Sequence, residues 1–166
     1  MEFGGGNSCF YPVFNQIFSH RKYYVVDNNL EGLEAFARRI GKPGNTVLIN
    51  RDILDWHEEI RCDVVFSVGL IEHFSVENTR QAILSHFKAL KKGGILILAF
   101  PTPTFLYSVT RKILELLGLW IFQEERPLRI QEVMETAREH GELLDQKIIW
   151  TIFLTQAILV IKERKI

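Results

Sequence analysis

Short, mostly apolar runs alternate with helical patterns over residues 20–100, and this alternation constrains the fold more than any other feature. The runs are Tyr23–Val26, Thr46–Ile49, Asp63–Val68 and Ile95–Phe100. Because they are apolar on both faces, they are typical of strands in a parallel sheet that is covered on both sides. We therefore predict a Rossmann-like α/β fold with a mostly parallel sheet.

The pattern changes after Pro101. Residues 103–125 show helical spacing, with apolar residues at Leu106, Val109, Ile113, Leu117 and Trp120. A further helix is predicted after Pro127. Lys147–Ile152 and Gln156–Ile161 predict a closing antiparallel strand pair. We expect one domain over residues 1–166 with a lid-like helical insertion at about 103–125.

The segment 105–122 holds more large apolar residues than one helix stripe needs. Such an excess is consistent with a lid over an apolar substrate, with a protein interface or with a patch that contacts lipid. Simple packing of the helix on the core is an equally good interpretation.

Charge and composition narrow the classes of partner. The chain has 20 Lys and Arg against 20 Asp and Glu, which argues against nucleic acid as a partner. Cys9 and Cys62 form neither a disulfide framework nor a zinc motif, and no metal site is expected. No apolar run approaches the roughly 20 residues of a membrane helix, and no signal peptide precedes the glycine turn. We expect a soluble, cytoplasmic protein with reduced thiols.

A glycine turn at Glu2-Phe3-Gly4-Gly5-Gly6 stands between a short strand and a helix predicted over Cys9–His20. Glycines at this place allow backbone N–H groups to face a polar ligand at the helix start. Gly4 and Gly6 fit the pattern Gly-x-Gly-x-x-Gly, but Cys9 occupies the third position. A turn that holds no ligand is the alternative.

Asp27 closes the second strand, roughly 20 residues beyond the turn, where related folds place a carboxylate on ribose hydroxyls. The alternative is that Asp27 starts the Asn28-Asn29 turn and caps a helix. We favour the ligand role.

Taken in order, these motifs resemble those of class I S-adenosylmethionine-dependent methyltransferases, in the style of small-molecule O-methyltransferases of quinone and polyketide pathways. The matching segments are Glu2–Ser8, Val26-Asp27, Arg51–Ile53, Asp63–Ser67, Ile71–His73 and Leu90–Gly94. The resemblance covers residue 2 to about residue 100 and continues more loosely to the end. Each motif alone is weak, but their order and spacing are specific.

The resemblance implies that S-adenosylmethionine is held by the turns that follow the first three strands. Its methionine part would be surrounded by Glu2, Gly4, Gly5 and Gly6. Asp27 would hold the ribose, with Asn28 beside the adenine. Asp52 would accept from the adenine amino group, and Ile53 would pack against the ring. Asp52 also has an interpretation as a helix cap, although Asp55 is the better candidate for that cap.

The fourth strand would supply the reactive end of the site. Val68, Gly69 and Leu70 would line the sulfonium and the substrate entrance by this resemblance. His73 is the expected general base, because a histidine pKa lies near neutrality. A packing or capping role is the alternative for His73. Three other histidines are expected to be exposed to solvent on helices or their edges: His57, His86 and His140.

Two departures from the family pattern stand out. Ser8 replaces a third glycine, which puts cofactor affinity in doubt more than identity. Only Met1 precedes the acidic residue, where the family has a full apolar strand in the middle of the sheet. Either the natural chain continues upstream, or the strand is stunted and the site weakened; we favour the first.

These observations favour methyl transfer from S-adenosylmethionine to a small or apolar substrate, with oxygen as the expected acceptor. A cofactor-impaired methyltransferase-like domain that acts as a binding or scaffold partner is one alternative. An NAD-dependent oxidoreductase is another, disfavoured by Cys9 and by the lack of a Tyr-x-x-x-Lys pair. A homodimer stays open.

Overall fold

One mixed sheet organises the chain in a computed structural model that describes residues 1–18, 20–41, 44–121 and 125–164. Over these residues the sheet has seven strands in the order β3-β2-β1-β4-β5-β7-β6. The strands are β1 Glu2–Phe3, β2 Tyr23–Asp27, β3 Thr46–Asn50, β4 Cys62–Val68, β5 Leu90–Pro101, β6 Gly141–Ile149 and β7 Gln156–Glu163. The helices are α1 Tyr11–Ile17, α2 Leu30–Ile40, α3 Val76–Lys88, α4 Phe105–Leu116 and α5 Ile130–Ala137.

The first five strands are parallel to one another, whereas β7 runs antiparallel to both β5 and β6. This arrangement confirms the predicted Rossmann-like sheet with an antiparallel C-terminal strand pair. β6 begins at Gly141, earlier than the expected Lys147. Its first half is mostly exposed at the sheet edge, so it lacks the apolar run by which a strand is recognised.

Helices cover both faces because side chains alternate along each strand. Val25 points into a cluster with Leu33 and Phe36 of α2. Val26 points to the opposite face, where the larger core includes residues of α3 and α5 such as Ile83 and Val133. The predicted two-sided burial of the sheet is confirmed.

β1 is short but central. Its two residues pair with β2 on one side and with β4 on the other. Phe3 is fully buried, with edge-to-face ring contacts at 5.0 Å to Trp56 and 4.9 Å to His86. The expectation of a truncated first strand is confirmed. This strand nevertheless occupies the middle of the sheet.

Several predicted helix limits are wrong. α1 covers only Tyr11–Ile17 of the expected Cys9–His20. α3 ends at Lys88, and the chain pairs with β4 from Leu90 and with β7 from Ile95 as part of β5. α4 ends at Leu116, and residues 122–124 of the expected helix lie outside the described residues.

The expected apolar stripe of α4 does not face the core. Ile113 and Leu117 are 51% and 63% exposed, whereas Tyr107, which lies off that stripe, is buried. None of the helices in the described part of the chain is long and apolar enough to cross a membrane.

Candidate functional site

The carboxyl ends of the parallel strands meet at one edge of the sheet. Strand order reverses between β1 and β4, since the chain runs from β1 outward to β3 and then returns to β4 on the other side. Open α/β sheets bind ligands in the crevice at such a reversal. The turns after β1, β2, β3 and β4, where the sequence placed its candidates, all lie at this edge.

The turn after β1 is a place where side chains do not fit. Gly4 has a φ of 68°, and a Cβ added to it would lie 2.8 Å from Leu70 Cδ1. A Cβ on Gly5 would lie 2.5 Å from Val25 Cγ1. The turn therefore packs its backbone closely against β2 and against the loop after β4. The approach of this backbone to a ligand stays a prediction.

Glu2 anchors this turn from beneath. Its buried Oε2 accepts hydrogen bonds from Ser8 Oγ at 2.5 Å and from the Tyr23 hydroxyl at 2.6 Å. Burial raises the pKa of Glu2. Ser8, the departure from the family pattern, also accepts from the Tyr11 backbone N–H at the start of α1. The bonds of Glu2 are thus internal, and a direct contact with a cofactor stays a prediction.

Asp27 ties the turn to the end of β2. Its Oδ2 accepts from Gly6 N–H at 2.6 Å, and its Oδ1 accepts from Asn29 N–H at 2.7 Å. Asn29, not Asp27, caps α2 by accepting from Gly32 N–H. Each carboxylate oxygen can accept a second hydrogen bond, so the half-buried Asp27 can still receive ribose hydroxyls. The exposed Asn28 follows it directly.

Asp52 occupies the turn after β3 as the cap of a short 3-10 turn, Ile53–Asp55, and accepts from Leu54 N–H at 2.8 Å. The choice of Asp55 as the cap was therefore wrong. Asp52 is exposed, whereas Ile53 is buried and belongs to the core that includes Trp56. Adenine contacts from Asp52 and Ile53 stay predictions.

The loop after β4 lies directly beside the glycine turn. Gly69 has a φ of 67° and donates its N–H to Ala99 O at 3.0 Å. Leu70 packs over Gly4, and Val68 is 38% exposed at the strand end. The structure thus brings together the glycine turn and the loop that the sequence assigned to the reactive end.

His73, the expected base, is exposed on the 3-10 turn Ile71–His73. The neighbouring Glu72 is the residue that the sequence reasoning missed. Its side chain is only 2% exposed, and its Oε2 has no hydrogen-bond partner among the described residues. Burial raises the pKa of Glu72 to about 7, and Glu125 nearby acts in the same direction. An acid between the large apolar residues Ile71 and Phe74 was the available signal.

His86 was expected to be exposed to solvent, and this is wrong. It is fully buried, and its Nδ1 donates to Ala82 O at 2.7 Å. Its Nε2 lies 2.9 Å from Ser67 Oγ and, in that tautomer, accepts the hydroxyl proton. Burial lowers the pKa of His86 to about 4. His86 is a neutral core residue between α3 and β4. His57 is exposed, as expected.

Among the described residues, no group of three or more His, Cys, Asp or Glu side chains could hold a metal ion. A groove of about 700 Å³ lies between α1 and the end of α2. Its lining includes Tyr11, Asn15 and Arg39 but none of the candidate residues at the carboxyl ends of the strands. Cys9 is exposed, whereas Cys62 is buried.

A family model described as a methyltransferase domain matches residues 1–94. An N-methyltransferase from Bradyrhizobium japonicum, solved with S-adenosyl-L-homocysteine, has a TM-score of 0.75 at 13% identity, with 99% of this chain and 76% of that chain covered. No curated protein matches the chain in sequence.

Two further solved structures share the fold. For magnesium protoporphyrin IX methyltransferase from Synechocystis with bound S-adenosyl-L-homocysteine, the TM-score is 0.77 at 16% identity, with 99% and 73% of the two chains covered. An O-methyltransferase family protein from Burkholderia thailandensis has a TM-score of 0.78 at 13% identity, with 99% and 50% covered.

Proposed function

The chain belongs to the methyltransferase-domain family, and from this premise we propose that it binds S-adenosylmethionine and transfers the methyl group to a small or apolar substrate, with oxygen as the expected acceptor. The observation that carries the proposal is the bond between Gly6 N–H and Asp27, which joins the glycine turn to the end of β2 at the strand-order reversal.

The residues present fit this cofactor. Gly4 and Gly5 leave no room for side chains, so the turn backbone itself borders the crevice. Asp27 offers free lone pairs to two vicinal hydroxyls, which is the pattern of a ribose. The charged groups of S-adenosylmethionine are the amino group, the carboxylate and the sulfonium. A site for this ligand needs neither a set of metal ligands nor a cluster of basic residues.

When bound, S-adenosylmethionine supplies a methyl group on a positively charged sulfonium, and the neutral thioether that departs is a very good leaving group. The protein therefore contributes mainly orientation and exclusion of water. Asp27 and the glycine turn orient the donor. Gly69 and Leu70 border the reactive end, and an acceptor hydroxyl needs in addition a group that receives its proton.

We take α4 to be the lid of this site. It begins just after the end of β5, at the same edge of the sheet as the candidate residues, with Thr104 as its cap. Phe105 and Leu116 are 85% and 79% exposed, so apolar surface is available beside the site. An apolar substrate would bury that surface on binding.

The sheet also bears on the oxidoreductase alternative. The usual dinucleotide-binding sheet continues as β5-β6 with all strands parallel. Here the antiparallel β7 is inserted between β5 and β6. This insertion and Cys9 in the third glycine position both weigh against NAD as the ligand.

Isothermal titration calorimetry with S-adenosylmethionine, S-adenosylhomocysteine and NAD tests the proposal. We expect both sulfur compounds to bind and NAD to give no heat. Asp27→Ala should weaken binding by more than Asp52→Ala, roughly tenfold or more, because two hydrogen bonds to a charged group are lost. Asp145→Ala, which removes an exposed carboxylate on β6, is the matched control and should bind like the unchanged protein.

Asp27→Asn keeps the shape of the side chain but removes its charge. Comparison with Asp27→Ala therefore separates the effect of the lost charge from that of a damaged turn. An equal or reversed order of Asp27→Ala and Asp52→Ala would contradict the ribose assignment. Absence of binding by either sulfur compound would favour the scaffold alternative, and binding of NAD alone would favour the oxidoreductase. A mass-spectrometric search for methylated products in cell extract would then identify the substrate.

A further inference from the structure

The Glu72 side chain points inward from a loop that otherwise faces the site edge. Its backbone is held on both sides: Thr79 Oγ1 donates to Ile71 O at 3.0 Å, and Arg126 N–H donates to Glu72 O at 3.1 Å. Glu72 is buried, whereas His73 beside it is exposed. The inward direction is therefore set by the fold and is not a chance rotamer of a surface residue.

The carboxyl group lies at the reactive end of the proposed site. Glu72 Oε1 is 3.5 Å from the position that a Cβ on Gly69 would take. Leu70, between these two residues, packs over Gly4 of the glycine turn. Glu72 thus lies against the loop at the end of β4, and the same loop contacts the glycine turn through Leu70.

The Glu72 carboxyl is only partly satisfied. A hydrogen bond from the Glu72 backbone lowers its pKa, but Oε2 has no hydrogen-bond partner among the described residues. The guanidinium of Arg126, whose backbone N–H bonds Glu72 O, donates instead to Glu132 Oε1 at 2.7 Å and to Thr79 Oγ1 at 3.1 Å. A buried carboxyl with an unpartnered oxygen destabilises a fold, so packing alone does not account for it.

The acid that acts on the charge of Glu72 is Glu125, which precedes Arg126 in the chain. The Glu125 carboxylate accepts a hydrogen bond from the Tyr107 hydroxyl of α4 at 2.5 Å. Arg111 of α4 donates to Glu125 O. Burial raises the pKa of Glu72 to about 7, and the negative charge of Glu125 adds to the rise.

We propose that Glu72 is the ionisable group of the methyl-transfer centre, which loses a proton when the sulfonium binds and accepts the proton of the acceptor during transfer. The inference rests on the proposed function. In the transfer the acceptor O–H bond breaks and its proton goes to the Glu72 carboxylate, while the O–CH₃ bond forms and the C–S bond leaves its electron pair on sulfur.

The charge of the sulfonium and the protonation of Glu72 are coupled, and this coupling is the physical reason for the assignment. A positive charge beside a carboxyl lowers its pKa, and removal of that charge raises it again. Glu72 is therefore ionised while the donor is charged. Its proton affinity rises when the methyl group leaves, which is when the acceptor proton must be received. The coupling between donor charge and proton is reciprocal by linkage.

Calorimetric titration of S-adenosylmethionine and S-adenosylhomocysteine from pH 5.5 to 8.5 tests the inference, because the two ligands differ in the sulfonium charge. We expect the affinity ratio of charged to neutral ligand to rise roughly tenfold across this range, as for a one-unit fall in pKa. Repeating the titration at pH 7 in buffers of different ionisation enthalpy should show release of a fraction of a proton with the charged ligand only.

Glu72→Gln should abolish both the rise and the proton release, whereas Glu77→Gln, the same change at an exposed acid of α3, should leave both unchanged. Loss of the rise in His73→Gln instead would overturn the assignment in favour of His73. If the ratio of the affinities for S-adenosylmethionine and S-adenosylhomocysteine does not depend on pH in the unchanged protein, the assignment is wrong. This comparison needs no variant, so it stays decisive even if Glu72→Gln does not fold. Failure of both ligands to bind refutes the proposed function instead.

Discussion

Two buried titratable residues, His86 and Glu72, have pKa values shifted in opposite directions. Burial lowers the pKa of His86 to about 4 and raises that of Glu72 to about 7. Burial thus favours the neutral form of each group. His86 has two hydrogen-bond partners, however, whereas Glu72 Oε2 has none among the described residues. This difference separates a structural residue from a functional candidate.

The two shifts predict opposite dependences of stability on pH. Between about pH 6.5 and 4 the unfolded chain binds a proton at His86 that the folded chain does not, so His86 destabilises the fold as pH falls. The full effect is about 3 kcal/mol. Between pH 4.5 and 7 Glu72 instead binds its proton more tightly in the folded chain, so it destabilises the fold as pH rises.

Urea unfolding at several pH values measures this. As pH falls from 6.5 to 4, the free energy of unfolding of His86→Gln should rise relative to that of the unchanged protein. As pH rises from 4.5 to 7, the free energy of unfolding of Glu72→Gln should rise relative to that of the unchanged protein. Parallel curves for all three proteins would contradict both assigned shifts.

At the scale of elements, the turn between β1 and α1 depends on space as well as on backbone conformation. Gly4 and Gly118 have nearly equal φ angles, 68° and 67°. A Cβ on Gly4 would meet Leu70, whereas a Cβ on Gly118 would have nothing within 4 Å. The positive φ costs about 1–2 kcal/mol in either case, and only Gly4 adds a steric conflict.

Gly4→Ala should therefore lower the free energy of unfolding by more than Gly118→Ala, and it should also weaken cofactor binding, since Leu70 must move. Gly118→Ala is the matched control and should bind normally. Thermal unfolding and calorimetry on the two variants are the measurements. Equal destabilisation with equal binding would mean that the approach of Leu70 to the turn has no energetic consequence.

At the scale of the whole molecule, the candidate site uses only one half of the sheet. The candidate residues follow β1 to β4, whereas β7 and β6 close the far edge and contribute none of them. The C-terminal pair covers β5 along its length and supplies core residues such as Leu159 and Ile161. The β1–β4 half of the sheet therefore carries the candidate ligand contacts, and the C-terminal strand pair contributes to the core.

Hydrogen exchange should report this division. Saturating S-adenosylmethionine should slow amide exchange at Gly4 to Gly6 and around Gly69, because bound ligand suppresses local opening at its contacts. Amides along β6 should change little. Measurement by mass spectrometry with and without ligand gives the comparison, and equal protection over the entire sheet would argue against a site confined to the β1–β4 edge.

Much of the fold could be predicted from the residue pattern. β2, β3 and β4 were placed within one residue at each end, because strands buried on both faces show as unbroken apolar runs. The limits of β6 and α4 were less accurate: β6 is an edge strand that carries polar residues, and α4 ends at Leu116, before the end of the predicted helical segment.

The sequence by itself determined the parallel sheet and the position of the glycine turn, because these depend on local backbone freedom and on short, regular spacings, whereas the bond between Gly6 and Asp27 is known only from the structure. Only the tertiary structure decided that Glu72 is buried and His73 exposed, that His86 is a core residue and that Asp52 caps its own turn. Burial and hydrogen-bond partners arise from segments far apart in the chain. Arg126, for example, reaches the loop of Glu72 across many intervening residues, and no local pattern records that contact.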